Sequence, residues 1–353
     1  MRTSFFIFLI IIIGAAGALW YFQSRQFPIP TGETKPLVTE EVAEDNASDN
    51  VSAPSPSTDA SQINTMTTRE ISVTDGVKHS IPLNEILSGG PGKDGIPSID
   101  NPEFVSAEKA TFLDDSDSGL GLTLNGESRF YPYRILVWHE IVNDTVAGQP
   151  VLVTYCPLCA TGIVFDRRID SEVQEFGVSG RLWQSNLLMY NRAGNEAGES
   201  LWSQVLGEAV LGVHTGKKLS IVRSDVVRFG DWKQAHPDTK VLSQDTGALR
   251  DYGRDPYGDY YTSESVSFGA TFNDTRLHPK ALVHGIEIDG QYKAYSDETL
   301  SGTITDTFAG KEVSVTKDGS GQITFTADGE PLASIPGFWF SWLAVHPETE
   351  LFK

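Results

Sequence analysis

A long internal repeat limits the folds that this 353-residue sequence can adopt. Residues Gly121–Leu136 align without gaps with Gly285–Leu300, including identical Gly, Gly, Tyr and Leu positions. If the second copy lacks two residues, Asn143–Thr154 then aligns with Thr305–Thr316, with seven identities in twelve positions. The two blocks follow in the same order and support each other. Such self-similarity predicts two copies of one supersecondary unit.

Each copy begins with the pattern of a β-hairpin. Alternating apolar residues lead to Asn125-Gly126 in the first copy and to Asp289-Gly290 in the second. Both dipeptides suit type I′ turns, whose two central residues need positive φ. Val151–Tyr155 is rich in Val and predicts a strand, whereas Arg134–Val142 and Trp232–Ala235 predict short helices. We therefore expect an α+β fold that is β-rich, mainly antiparallel and internally duplicated, with short helices.

The repeat also predicts how the folded part is organised. The motif Trp232–Thr239 (W-x-x-x-H-P-D-T) is repeated, over a short stretch, by Trp342–Thr349. Copy one then spans about residues 120–240 and copy two about 284–350, inside a duplicated domain at 69–353. The second copy lacks the cysteines and loses its two residues close to His139-Glu140. This difference predicts that copy one carries the chemistry and copy two keeps only the scaffold.

Residues 1–22 form the most apolar segment and predict a membrane anchor or a signal peptide. Phe5–Phe22 is uncharged and just long enough to span a bilayer as a helix. Ala16-Gly17-Ala18 would suit a signal-peptidase site. The aromatic continuation Leu19–Phe22 favours an uncleaved anchor. Either alternative predicts a membrane contact through this segment and a globular domain outside the cytoplasm, periplasmic or extracellular.

Residues 23–68 are rich in Pro, Ser, Thr, Asp and Glu and poor in large apolar residues. This composition predicts a disordered acidic spacer. The whole chain has a formal net charge of -20, which argues against nucleic-acid binding because phosphate contacts need clustered Lys and Arg. The sequence also lacks a glycine-rich phosphate loop, so we expect no nucleotide cofactor.

The two cysteines of the chain, Cys156 and Cys159, form one C-P-L-C motif. Three interpretations are open. A metal knuckle between two strands would hold copper or zinc through both thiolates, and would need one or two further ligands. A redox dithiol is the second, although the residues after Cys159 predict a strand and not the usual helix. A structural disulfide or a pair of buried thiols is the third.

Two other features are candidates for the same site. His139 stands on the predicted helix before the cysteine strand and is the candidate third metal ligand, although an isolated His is more often a surface residue. The Tyr-rich stretch Tyr252–Tyr261 is a loop by its Gly, Pro and Asp content. Such a loop would cover a pocket, contact a glycan or simply pack on the surface.

Seven runs of the sequence resemble a prokaryotic family, domain of unknown function family 3179. They are Asp94–Ala110, Trp138–Asp144, Val153–Cys159, Phe176–Arg192, Ser200–Gln204, His236–Tyr260 and Arg276–Glu287. The resemblance implies a common fold and a shared site around the C-P-L-C motif, and it names no reaction. The sequence departs from the family pattern at Ala160, where Gly is expected, and at Ser296, where Pro is expected.

These observations lead to one main hypothesis and two alternatives. The main one is an exported domain that binds copper or zinc through Cys156, Cys159 and His139. The first alternative is thiol–disulfide redox chemistry at the same cysteines. The second is a structural or partner-binding module, and a protein partner or small-molecule substrate is not identified by the residues.

Overall fold

The computed structural model of the protein describes residues 26–37, 69–319 and 321–352. In these ranges the chain forms mainly strands, paired antiparallel with two exceptions. The α-helices there have seven residues each: α1 Tyr133–His139, α2 Phe229–Ala235 and α3 Trp339–Val345. Short 3-10 helices occupy Leu83–Glu85, Ala107–Lys109, Glu196–Gly198, Gly258–Thr262 and Asp297–Thr299.

The β-rich, mainly antiparallel prediction is confirmed, and the α+β classification is wrong. Three helices of two turns each are too short to form a layer against the sheets. In chain order the strands are β1 Thr34–Pro36, β2 Ser72–Thr74, β3 Val77–His79, β4 Leu87–Ser88, β5 Phe104–Ser106, β6 Ser118–Leu124, β7 Glu127–Pro132, β8 Ile141–Val146, β9 Gln149–Cys156, β10 Thr161–Asp166, β11 Arg168–Ile169, β12 Glu172–Val173, β13 Phe176–Trp183, β14 Asn186–Asn191, β15 Ser200–Ser203, β16 Glu208–Gly212, β17 Ile221–Val222, β18 Asp225–Arg228, β19 Lys240–Leu242, β20 Leu282–Ile288, β21 Gln291–Ser296, β22 Gly302–Phe308, β23 Lys311–Lys317, β24 Ile323–Ala327, β25 Glu330–Leu332, β26 Ile335–Phe338 and β27 Glu350–Leu351.

The strand order repeats between the two copies. In copy one the hairpin β6–β7 is flanked by β18, antiparallel, and β19, parallel. In copy two the hairpin β20–β21 is flanked in the same way by β26 and β27. The three-stranded meander β8–β9–β10 likewise corresponds to β22–β23–β24. Order and direction agree, as a duplication requires.

The short tryptophan motif is repeated in the structure as well. The indole of Trp232 packs on Gly121 and donates a hydrogen bond to the Thr239 hydroxyl at 2.9 Å. The indole of Trp342 packs on Gly285 and donates to Thr349 at the same distance. Each motif therefore closes one hairpin of its own copy.

Gly121→Ala is expected to lower the free energy of unfolding by about 1–3 kcal/mol, because a β-carbon would lie 2.4 Å from the Trp232 ring. Urea denaturation followed by tryptophan fluorescence measures the change. Gly319→Ala is the control, since a β-carbon there meets no atom within 4 Å. Equal stability of the two variants would contradict the prediction.

Copy one is interrupted by an insertion between β10 and β18. Its strands β13 to β16 join β1 to β4 in an eight-stranded sheet, the largest in the described ranges. The hairpin β13–β14 in this sheet turns at Gln184-Ser185. This turn brings residues from the insertion to the C-P-L-C motif.

The start of the predicted spacer belongs to the folded protein. Thr34–Pro36 pairs with Ser72–Thr74, Phe27 is buried, and the Arg181 guanidinium donates to the Phe27 carbonyl at 2.8 Å. The prediction of disorder from residue 23 is therefore wrong for 26–37, because a few apolar residues of this segment pack on the eight-stranded sheet. The remainder of the spacer and the 1–22 segment lie outside the described residues. Within the described ranges no helix is long and apolar enough to cross a membrane.

Candidate functional site

The C-P-L-C motif forms the tight turn between β9 and β10. Cys156 is the last residue of β9 and pairs with Thr161, the first residue of β10. The Cys159 amide donates to the Cys156 carbonyl at 3.1 Å. Ala160 has a φ of 51°, in the left-handed region that favours Gly. A Gly at this position, which the family resemblance leads us to expect, would adopt that conformation without the strain that Ala160 bears.

The two thiols converge on one oxygen atom. Both cysteines are free and buried, and their sulfur atoms lie 4.0 Å (Cys156) and 3.3 Å (Cys159) from the carbonyl oxygen of Ser185. Gln184 and Ser185 have φ values of 51° and 63°, so the β13–β14 turn places two non-glycine residues in the left-handed region. The cost of that conformation is offset by the surrounding contacts, as is common at functional sites.

Asn186 fixes the polar side of the cysteine turn. Its amide nitrogen lies 3.6 Å from the Cys159 sulfur and donates to the Gln204 side-chain oxygen at 3.0 Å. Its own oxygen accepts from the Val205 amide at 3.1 Å. Gln204 in turn accepts from the Thr161 hydroxyl and donates to Thr154. Because every member is satisfied, this buried network holds Asn186 in one orientation.

The two thiols differ in acidity. Burial would raise the pKa of Cys159, but interactions with Cys156, Ser341 and Asn186 outweigh it and lower that pKa. Burial raises the pKa of Cys156, and its interaction with Cys159 raises it further. Ser341 lies on α3, in copy two, and affects Cys159 without a hydrogen bond of good geometry. The thiolate of the pair is therefore favoured at Cys159.

A buried carboxyl group faces this pair. Glu140 ends α1 with a φ of 60°, and its carbonyl accepts from the Tyr155 amide at 2.8 Å, which places it beside the cysteine strand. Burial raises the pKa of Glu140 well above its usual range, and the nearby Cys156 raises that pKa further. Both effects favour the protonated form of this carboxyl group.

The Tyr-rich loop contacts the cysteine turn. The Tyr260 hydroxyl donates to the Leu158 carbonyl at 3.0 Å. Lys280 donates to the Tyr260 carbonyl and to Ser263, and its ammonium lies 3.5 Å from the centre of the Tyr260 ring. These contacts hold the loop against the turn, and we call it the covering loop.

Copy two closes the other side of the turn. The Phe338 amide donates to the Cys159 carbonyl at 2.8 Å, and Gly337 lies against Thr161. Ser341 follows one turn later. The site is therefore built by both copies together with the insertion.

Comparison with known proteins gives one match. Residues 93–349 match the family described as "Protein of unknown function (DUF3179)". The chain belongs to this family. No curated protein and no solved structure shows significant similarity to it. The DUF3179 match includes every residue that contacts the cysteine turn above, whereas Phe27 and β1 lie outside it.

His139 does not face the thiols with a free nitrogen. Its Nδ1 bonds the Pro97 carbonyl at 2.8 Å and its Nε2 bonds the Tyr252 hydroxyl at 2.6 Å. Burial lowers the pKa of His139, so the ring is neutral and links α1 to the covering loop. No group of three His, Cys, Asp or Glu side chains suited to a metal ion occurs in the described part of this DUF3179 chain.

Sequence reasoning missed four residues of the site: Glu140, Ser185, Asn186 and Ser341. Ser185 and Asn186 had a detectable signal. Gln184-Ser185 separates two apolar strand segments and has the length of a two-residue hairpin loop. Glu140 stood next to the residues that the second copy lacks. Ser341 lies 182 positions after Cys159 in the numbering, and no local pattern joins the two.

Proposed function

We propose that Cys156 and Cys159 form a dithiol–disulfide redox centre. In the oxidising direction both thiols lose their protons and one S–S bond forms between them. The two electrons reduce the disulfide bond of an exchanging compound to two thiols. The observation that carries this proposal is the approach of both free thiols to the single Ser185 carbonyl oxygen.

The difference between the two thiols supports the same proposal. A dithiol reacts through its thiolate, and the lowered pKa of Cys159 favours that sulfur as the attacking one. The raised pKa of Cys156 keeps the second thiol protonated until the mixed disulfide forms. This division is the reverse of the usual one, in which the first Cys of the motif has the lower pKa.

Copper(I) binding is the second candidate function, because a buried pair of thiols is a soft donor set. Zinc fits less well, since its sites use three or four protein ligands and the described residues contain no group of three His, Cys, Asp or Glu side chains suited to a metal ion. His139 as a third ligand would first have to leave Pro97 and Tyr252.

The reduced full-length protein should lose both thiols together when it is equilibrated with mixtures of reduced and oxidised dithiothreitol. Mass spectrometry after thiol alkylation measures the midpoint. Cys156→Ser and Cys159→Ser should each prevent the intramolecular disulfide. Tight stoichiometric copper(I) binding, measured by competition with a chromogenic chelator, without a reversible disulfide would overturn the redox proposal in favour of the metal one.

A further inference from the structure

Two hydroxyl groups at the cysteine turn are buried and lack a partner among the residues that the structure describes. They belong to Ser185 and Ser341, which are 0% and 1% exposed. Leaving a buried hydroxyl without a hydrogen bond costs about 1–3 kcal/mol, so each such group calls for an explanation. Ser185 supplies the carbonyl that both thiols approach, and Ser341 lies beside Cys159. The site therefore offers two donors to an oxygen-containing ligand.

The burial of the sulfur atoms restricts the size of a reactant. Cys156 and Cys159 are 1% and 0% exposed, and the covering loop bonds the turn between them through the Tyr260 hydroxyl and the Leu158 carbonyl. A protein disulfide cannot reach either sulfur without displacing the covering loop. A small uncharged molecule needs only a transient opening of that loop.

We propose that small hydroperoxides, with hydrogen peroxide as the simplest, are the oxidants of this dithiol site. The proposal rests on the redox function inferred above and names its electron acceptor. The Ser185 and Ser341 hydroxyls bind the peroxide oxygen atoms next to Cys159. The side-chain amide of Asn186, which is held in one orientation by its own hydrogen bonds, contacts the Cys159 sulfur.

The chemistry balances in two steps. The Cys159 thiolate attacks one oxygen of the peroxide, the S–O bond forms and the O–O bond breaks, which leaves a sulfenic acid on Cys159. The leaving oxygen takes a proton, which we assign to the carboxyl of Glu140, buried beside the cysteine strand, and departs as water or an alcohol. The Cys156 thiol then attacks the sulfenic sulfur, the disulfide forms and a water molecule leaves. Two thiols and one peroxide become one disulfide and two hydroxyl-containing products.

The test is single-turnover oxidation of the reduced full-length protein by hydrogen peroxide, with thiol loss measured by quenching and mass spectrometry. Ser341→Ala should slow the reaction about tenfold to a hundredfold, since it removes one donor to the developing oxyanion. Ser203→Ala is the matched control, because Ser203 is also a buried hydroxyl without a partner but does not contact the cysteines. In Cys156→Ser, dimedone should trap a sulfenic acid on Cys159.

The outcomes separate this inference from the proposed function. Oxidation by peroxide no faster than that of free cysteine, with disulfide formation by oxidised dithiothreitol intact, would overturn the peroxide proposal alone. Equal rates for Ser341→Ala and Ser203→Ala would overturn the assigned role of the hydroxyls. Failure of both oxidants to form the disulfide would overturn the redox function as well.

Discussion

Replacing Asp144 with alanine is expected to lower the free energy of unfolding by about 3–5 kcal/mol. The Asp144 carboxylate is buried, forms an ion pair with Arg129 and accepts a hydrogen bond from the Tyr131 hydroxyl at 2.6 Å. The variant leaves the largely buried Arg129 guanidinium with Glu127 as its remaining carboxylate partner. Chemical denaturation of the wild type and the variant at pH 7 measures the difference.

Copy two offers the matched comparison, Asp306→Ala. Asp306 forms an ion pair with Lys293 at 2.6 Å and accepts from Tyr295 at 2.8 Å, in the equivalent place. Its loss should cost less than that of Asp144, because the Asp306 side chain is more exposed (15% against 5%) and Lys293 retains Glu350 at 3.5 Å. A larger loss for Asp306→Ala than for Asp144→Ala would contradict the assignment of the more tightly buried ion pair to copy one.

Tyr260→Ala should make the two thiols react at least roughly tenfold faster with iodoacetamide. The change removes the hydroxyl bond to Leu158 and the ring that lies under the Lys280 ammonium. A tenfold rate corresponds to about 1.4 kcal/mol of opening free energy, the sum expected for one hydrogen bond and part of an aromatic contact. Alkylation is followed by mass spectrometry under native conditions.

Tyr260→Phe separates the two contributions, because it removes the hydroxyl and keeps the ring. We expect it to accelerate alkylation by no more than a few-fold. If Tyr260→Ala reacts at the wild-type rate, the loop does not control access to the sulfur atoms. The size restriction on the oxidant would then lose its basis.

The repeat and the turns were predictable because their information is local. Asn125-Gly126 and Asp289-Gly290 have the positive φ values that type I′ turns need, and they define both hairpins. The helix at Trp232–Ala235 was also found, within three residues of its start. The α+β classification failed because the segment after Arg134 reads as a helix up to Val142, whereas the chain turns at Glu140 and continues as β8.

The site was predictable only for its two cysteines. A strand that ends at Cys156 and a proline in the turn are visible in the sequence. The groups that act on the thiols come from three distant places: Ser185 and Asn186 in the insertion, Glu140 at the end of α1 and Ser341 in copy two. His139 stays a prediction as a metal ligand, and its hydrogen-bond partners Pro97 and Tyr252 could not be foreseen because they are far from it in the chain.

Phe338 and Ser341 of copy two interact with Cys159 of copy one. The two copies therefore depend on each other, as the subunits of a fused heterodimer do. One half holds the two sulfur atoms, and the other half, which has no cysteine, completes their enclosure. Natural selection on the chemistry of the first half therefore acts on the second. Across DUF3179 sequences, replacements at positions 337–341 should covary with those at 156–161, and exchanging one half between relatives should impair the thiol chemistry without unfolding either half.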